Sequence, residues 1–584
     1  MDGTLRSTPE SERFLRRLLL VLIAVSVVLR CRLIFVLNVD GDEFRFLFLV
    51  YEHLRGRVGT PLMTFHAQLF EWLPWVSVNE VDQILAARIV MLGLSLGSAL
   101  LTYLIAKKFL SLPGALFSLL CYLTFSNVVV HGASFRFDPG CSFFFLLSVY
   151  WLVFGRRLQV RSLLLAGTCL ALALLISLKA VLFLPTAAAV LAIRVRFDPA
   201  PNGTRHWGWF AVGAVVLSVP LYWLHRGQLA DGSEAGFAAA VRMARAVLGL
   251  QGLFPQWRYL LFSGLQNPVV WSLVILGLLI TARNVFPLRR ARKEDLLLLS
   301  LSLPLLSLSF YIFAYPYFLA SIISPSVICC GFVFDRLYER MTEHRRHGLW
   351  LLMLIAAVFG GFTLQYDLYS EDQVLPQRRT LQAVHELFPE PVRYIDSCSM
   401  VSAYPQVGLF MTSWDLRKYF DRGNPIMREL LRSQNPVFLL ADTYYLDLEL
   451  PWSRTLNSGR FGLLEEDHRV LRDNFVRHWG AIYVPGKRIQ FQAGEVEKEA
   501  EILVPGVYTL EAEGWVRIGG TLIRPGQTVR LARSGVTISP ERTPLTVVLR
   551  WGNHLPLPLG QPPHAPLFDG YYWRSRRYPS PLDR

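Results

Sequence analysis

Apolar runs long enough to cross a bilayer recur through the first 365 residues, and no other feature limits the fold of this chain as tightly. A helix needs about 17–25 mostly apolar residues to span the hydrocarbon. Eleven segments meet or approach that length: 18–37, 84–106, 113–131, 140–155, 162–178, 180–194, 208–224, 267–282, 295–313, 317–334 and 349–365. In lipid every backbone N–H and C=O must find a partner within the protein, so these runs are expected as helices. The first run has no A-x-A cleavage pattern behind it and reads as a retained span, not a signal peptide.

Charge placement orients the spans. The chain carries a net charge of +15, which raises nucleic acid as a partner. That reading is rejected, because the basic residues sit in short loops between apolar runs, as the positive-inside rule describes. Arg13, Arg16 and Arg17 precede the first span. Alternate loops then carry Lys107 and Lys108; Arg156, Arg157 and Arg161; Arg194, Arg196 and Arg205; Arg289, Arg290, Arg292 and Lys293; and Arg336, Arg340, Arg345 and Arg346. With eleven spans all of these fall on one side, so the N-terminus is expected in the cytoplasm. Loops 38–83 and 225–266 and the C-terminal third are then expected outside. Pieces near 44–54, 65–76 and 234–250, the last bearing Arg242 and Arg245, read as amphipathic helices in the interface.

From about 366 the composition changes. Helix-like and strand-like runs alternate in "RRTLQAVHELFP" and "VRYIDS", in "PIMRELLRSQ" and "PVFLLAD", and in "LLEEDHRVLRDNF" and "WGAIYVPG", which predicts a small α/β layer. After about 490, short alternating runs broken by Pro-Gly and Gly-Gly predict a β-sandwich or meander, followed by an irregular tail. The expected domains are 1–365 in the membrane, 366–489 as α/β and 490–584 as β-rich. The seven cysteines form neither a disulfide framework nor a zinc pattern.

The residues able to do chemistry gather at the expected outer face. Asp40, Asp42 and Glu43 follow the first span, in a position to take a proton from an acceptor or to hold a hard cation. Arg30 and Arg32 lie within the outer half of that span, where an ionisable group is a functional candidate and snorkelling is the alternative. "HGASFRFDPG" brings His131, Arg136 and Asp138 to a short outer turn. Only seven lysines stand against 52 arginines, and one of them, Lys179 in "LLISLKAVLFLP", sits at an outer hairpin where it can meet a phosphate as a point charge. Tyr315 and Tyr317 flank a proline at another outer turn, and Arg258 and Tyr259 lie in the remaining outer loop; an aromatic belt also accounts for such tyrosines. A carboxylate base beside cationic clamps suits group transfer from a phosphate-linked, membrane-embedded donor.

Four motifs in order resemble the GT-C glycosyltransferases, within them the protein O-mannosyltransferase and lipid A aminoarabinose transferase group. These are the acidic pair Asp42-Glu43, the stretch "RGRVGTPLMTFHAQLFEWL" that contains His66, the element Arg136-Phe137-Asp138, and "LKAVLFLP" with Lys179. The resemblance covers roughly residues 15–365. It implies a polyprenyl-phosphate sugar as donor, a glycan, glycolipid or protein as acceptor, and work on the non-cytoplasmic face. It assigns Asp42 as base with Glu43 supporting it, and Lys179, Arg136 and Arg258 to the donor phosphate. Asp138, His66, Arg32, Tyr315 and Tyr317 are placed in support. The late-span R-Y-x-x-P-type element is matched only loosely by "YPYFLASIISP". A divalent metal is left open, with Asp40, Asp42 and Glu43 as its ligands. A flippase for lipid-linked sugars and a non-catalytic glycan-binding scaffold are the alternatives. An arginine-rich chain points to a GC-rich bacterium and so to undecaprenyl or decaprenyl phosphate.

Overall fold

The computed structural model describes residues 9–61, 63–154, 158–198, 203–229, 252–286, 291–341, 345–411, 413–456, 461–563 and 567. The piece read near 234–250 and the tail beyond 567 lie outside the described residues. The chain divides into two compact units. The first is Met1–Leu37, Glu52–Trp72 and Leu85–Glu371; the second is Asn38–Tyr51, Leu73–Ile84 and Asp372–Arg584.

The first unit is helical. In order, its elements include α1 (Pro9–Val36), the end of α2 (Gly41–Leu54), α3 (Phe65–Leu69), most of α4 (Glu80–Ala106), α5 (Leu112–Thr124), α6 (Ser126–His131), α7 (Phe137–Phe154), α8 (Val160–Ile176), α9 (Leu184–Phe197) and α10 (Gly203–Arg226). Helices Trp257–Gln266, Pro268–Val285, Lys293–Leu301, Pro316–Ser326, Ile328–Met341 and Arg345–Tyr369 complete it. Among the described residues seven helices are long and apolar enough to cross a membrane, or eight if the pair bent by 44° at Val327 is one span. The protein is therefore a multi-pass membrane protein.

Several of the eleven apolar runs are interrupted. The run 113–131 turns at Phe125, which has extended backbone between α5 and α6. The run 295–313 is a nine-residue helix followed by a 3-10 turn, Leu303–Ser309, because Pro304 lacks an N–H and cannot continue the α-helical ladder. The 3-10 segment Leu178–Phe183 separates α8 from α9. These breaks expose backbone groups that a straight span would pair internally, and they occur where the candidate residues lie.

Small residues allow close helix packing in this unit. A Cβ at Gly167 of α8 would overlap the Phe210 carbonyl oxygen of α10, and one at Gly213 would overlap the Leu164 backbone. Thr168 Oγ1 donates to the Gly213 carbonyl at 2.9 Å across the same crossing. Lipid supplies no hydrophobic drive between helices, so such contact is what holds them. Gly167→Leu is expected to cost about 3 kcal/mol by forcing backbones apart. Thermal unfolding of the purified protein in detergent reads this as a lower midpoint and reduced recovery of monodisperse protein.

The second unit is α/β followed by a sandwich. Helix Val374–Leu387, β1 (Tyr394–Ile395), helices Ser413–Arg422 and Met427–Gln434, β2 (Phe438–Leu440), helix Glu465–Asn474, β3 (Phe475–Trp479) and β4 (Ile482–Phe491) come first. β1 and β2 are parallel, and β2 and β3 both pair antiparallel with β4. The expected alternation of helix and strand is present, and β3 is added to it: the sequence reading carried the helix to 475, began the strand at 479 and left "VRH" between them unassigned. β4 is long enough to continue into the next layer, where its second half pairs with β11 (Leu545–Trp551). β11 pairs β6 (Gly506–Glu511), which pairs β9 (Thr528–Leu531). A four-stranded sheet has the order β5 (Lys498–Glu501), β10 (Gly535–Pro540), β7 (Val516–Ile518), β8 (Thr521–Ile523). Alternate side chains of the two sheets, among them Phe491, Tyr508, Leu510, Ile518, Ile538 and Leu549, enclose one apolar core.

Candidate active site

In the first unit, three chain breaks bring charged groups together. The turn between α6 and α7 presents Arg136, and the first turn of α7 presents Asp138. The 3-10 segment after α8 presents Lys179, whose backbone N–H donates to Ser177 Oγ at 3.3 Å and so fixes the start of the turn. Pro316 opens the helix that carries Tyr317. Lys179 Nζ lies 2.7 Å from Asp138 Oδ1, and Arg136 Nε lies 3.2 Å from Asp138 Oδ2. One carboxylate thus contacts two cations. The Tyr317 ring covers both cations: Arg136 Cζ is 3.8 Å and Lys179 Nζ 4.3 Å from its centroid. The side chains of Arg136, Asp138 and Lys179 are only 2%, 5% and 11% exposed. In such a setting Coulomb forces are several-fold stronger than in water.

Around this centre Tyr315 lies 5.8 Å from Tyr317, and Tyr259 lies 5.5 Å from Tyr315. His131 is 6.4 Å from Tyr317, and the buried His66 is 6.5 Å from Phe137, between centroids. Four of the expected residues, Arg136, Asp138, Lys179 and Tyr317, are therefore in direct contact, with Tyr315 and His66 in the next ring. Arg258 is exposed, against its neighbour Trp257. Arg32 is exposed and donates to Tyr366 Oη at 3.1 Å, apart from this cluster. The arginine that is buried is Arg30. Its Nη2 donates to Ser95 Oγ at 2.8 Å and to the Val128 carbonyl at 3.3 Å, just before the turn that carries Arg136. Gly132 is required there, since a Cβ would come within 2.8 Å of that nitrogen. Arg88, absent from the sequence-based candidates, donates to the carbonyls of Ile34 and Leu37 and so satisfies acceptors at the C-terminal end of α1.

Asp40, Asp42 and Glu43 belong to the second unit. Asp40 Oδ1 accepts from the N–H groups of Asp42 (2.9 Å) and Glu43 (3.1 Å), and the Asp40 N–H donates to Glu43 Oε1 at 3.2 Å. This is a capping box: two carboxylates three residues apart satisfy donors at the start of α2 reciprocally. The pattern D-x-x-E announces it in the sequence. Asp40 and the 1%-exposed Glu43 thus hold the helix end, while Asp42 contributes its backbone N–H and keeps a half-buried carboxylate outside the box. Two acidic groups in the first turn also favour the helix dipole.

Among the described residues, the trio of metal-ligating side chains whose donor atoms lie within 4.8 Å of one another is Asp396, Cys398 and Asp442, not the Asp40 group. Internal hydrogen bonds already occupy these oxygens. Asp396 accepts from the N–H groups of Ser399 and Met400, and Asp442 from Ser397 N–H, Ser397 Oγ and Cys398 Sγ. Burial raises the pKa of both acids: Asp442 to about 6, and Asp396 well above its usual range, where the charge of Asp442 adds to burial. Because the folded state holds the Asp442 proton more tightly than the unfolded chain, its stabilisation is complete below about pH 4 and fades as pH rises through about 6. The melting midpoint of the wild type relative to Asp442→Asn is expected to fall over that window. Scanning fluorimetry of both proteins from pH 4 to 8 measures the difference.

No family model matches the sequence, and no curated protein sequence matches it. Solved structures do. ArnT from Cupriavidus metallidurans bound to undecaprenyl phosphate superposes with a TM-score of 0.51 at 14% identity, covering 72% of this chain and 92% of that one. The oligosaccharyltransferase AglB from Archaeoglobus fulgidus, in complex with an inhibitory peptide and a dolichol-phosphate, gives 0.50 at 11% identity, covering 92% and 96%. At such identities the likeness is one of fold, a helical membrane part followed by a soluble part, and the fold expected from the motif order is the one found.

Proposed function

We propose that this protein is an integral-membrane glycosyltransferase that moves a sugar from a polyprenyl-phosphate donor to an acceptor on the extracytoplasmic face of the cell membrane, with its N-terminus in the cytoplasm. The observation that carries the reading is the buried Arg136–Asp138–Lys179 cluster, with both cations packed against the Tyr317 ring at a break between apolar helices. A lysine and an arginine buried together at a break between apolar helices suit the phosphate of a lipid whose tail stays in the bilayer. Both structural neighbours hold a polyprenyl phosphate, which supports the same donor class.

In the proposed single displacement, an acceptor oxygen forms a bond to the anomeric carbon as the bond from that carbon to the phosphate oxygen breaks. The electron pair leaves with the phosphate, and the sugar inverts. Asp42 takes the acceptor's proton. Lys179 and Arg136 stabilise the charge gained by the leaving phosphate, with Arg258 as a peripheral contact and Tyr315, Tyr317 and His66 shaping the surroundings. Asp138 holds the two cations in place, and Glu43 supports Asp42 by fixing the start of α2.

Native mass spectrometry of the purified protein with added undecaprenyl phosphate tests the donor site. Retention of the lipid by wild type and at least tenfold weaker retention by Arg136→Gln/Lys179→Gln is expected. Equal retention by the two proteins would remove the phosphate assignment.

A further inference from the structure

The acidic stretch that opens α2 is tied to residues more than 330 positions later in the sequence. Gln377, fully buried on helix Val374–Leu387, faces the backbone of Val39 with both ends of its amide. Its Oε1 accepts the Val39 N–H at 2.8 Å, and its Nε2 donates to the Val39 carbonyl at 2.7 Å. The same Nε2 donates to the Leu567 carbonyl at 3.3 Å. This two-point clamp imitates one rung of a β-ladder. It acts one residue before the Asp40 cap and three before Asp42. On the other side, Gly41 packs where a Cβ would stand 3.5 Å from Cys398 Cβ, and Arg45 on the first turn of α2 lies over the Phe410 ring, 5.0 Å from its centroid. All of these groups belong to the second unit.

We infer that Gln377 is a positioning residue for Asp42, and that the C-terminal part of the chain serves the reaction by holding the stretch that bears its base. The inference rests on the proposed role of Asp42. A buried amide with every donor and acceptor used on backbone is a costly way to pack a helix against a loop, because an apolar side chain there would leave the Val39 N–H and C=O unpaired. Its effect is to fix the backbone just ahead of Asp42, and proton transfer depends on placement to within a fraction of an ångström.

Three variants separate the possibilities, each made in the full chain. Gln377→Leu keeps the bulk and removes the clamp. Gln377→Glu keeps it conditionally: a protonated carboxyl accepts the Val39 N–H and donates to its carbonyl, as the amide does, whereas a carboxylate repels that carbonyl. Asp42→Asn leaves the clamp intact. Hydrogen exchange of the proteins in nanodiscs follows the amides of 38–43, with peptide 174–185 as an internal reference, and glycan profiling of the native host reads product. Gln377→Leu is expected to speed exchange at 38–43 at least tenfold, with the reference unchanged, and to lower product at least tenfold. In Gln377→Glu, protection at 38–43 relative to wild type is expected to fall as pH rises from 5 to 8. Asp396, Cys398 and Asp442 are present in both proteins, so their titration cancels in that ratio. Should Gln377→Leu fail to fold, the Glu variant carries the test alone. The inference is overturned if exchange at 38–43 stays at the wild-type rate, if exchange quickens with product unchanged, or if the Glu variant shows no pH dependence. Full product from Asp42→Asn would instead remove the base assignment, and the exchange results would then describe a purely structural clamp.

Discussion

Asp42→Asn is expected to lower sugar transfer by roughly 10²–10⁴-fold, the span general-base catalysis contributes, while leaving the melting midpoint almost unchanged. The substitution is isosteric; it removes the negative charge and with it the ability to take a proton. The capping box uses the backbone N–H of Asp42 together with the side chains of Asp40 and Glu43, so it survives. Asp42 lies in the first turn of α2, so loss of its charge beside the helix N-terminus should cost about 0.3–1 kcal/mol. Glu43→Gln provides the contrast. Its amide oxygen can still accept the Asp40 N–H, so most activity should remain. Measuring turnover and melting midpoint on the same preparations decides the matter: a loss confined to Asp42→Asn supports the base, and equal losses in both would mean that the helix end matters more than the proton.

Lys179→Met is expected to reduce transfer by about 10²–10³-fold, the magnitude typical of removing one preorganised electrostatic contact to a developing charge. The centre would lose one of its two cations. Asp138 would keep Arg136 as its partner at 3.2 Å, so the fold should lose only about 1–2 kcal/mol, less than when a buried charge is left alone. Lys179→Arg should recover only part of the activity, because a planar guanidinium cannot replace a compact ammonium between Asp138 and the Tyr317 ring. Initial rates against donor concentration distinguish a loss of donor binding, seen as a raised KM, from a loss of leaving-group stabilisation, seen in kcat.

The parts of this account that could be read from sequence are those with a local signal. Apolar length marked the membrane part, alternating helical and strand-like runs marked the α/β layer, and charged residues at the ends of apolar runs marked Arg136, Asp138 and Lys179. Their meeting at one carboxylate could not be derived locally, since it depends on two separate breaks in the chain, before α7 and after α8. The choice between Arg30 and Arg32 is a matter of helical phase: two residues apart on α1, they point about 200° apart, and only packing decides which side is inside. The capping role of Asp40 and Glu43 was available as a D-x-x-E spacing and was overshadowed by the chemical reading of the same carboxylates. Strand β3 was hidden because it begins where the preceding helix ends, at Phe475. Gln377 has no local signal at all: a glutamine on an amphipathic helix looks like a surface residue until its partner, 338 positions away, is known.

The most direct test of the central claim is lipid and glycan profiling of the native host after deletion of the gene, with and without the wild-type copy restored. The account predicts that one polyprenyl-phosphate-linked sugar accumulates in the deletion, that one glycan loses the same sugar, and that both changes reverse on restoration. Unchanged levels of every polyprenyl-phosphate sugar, with every glycan intact, would contradict it.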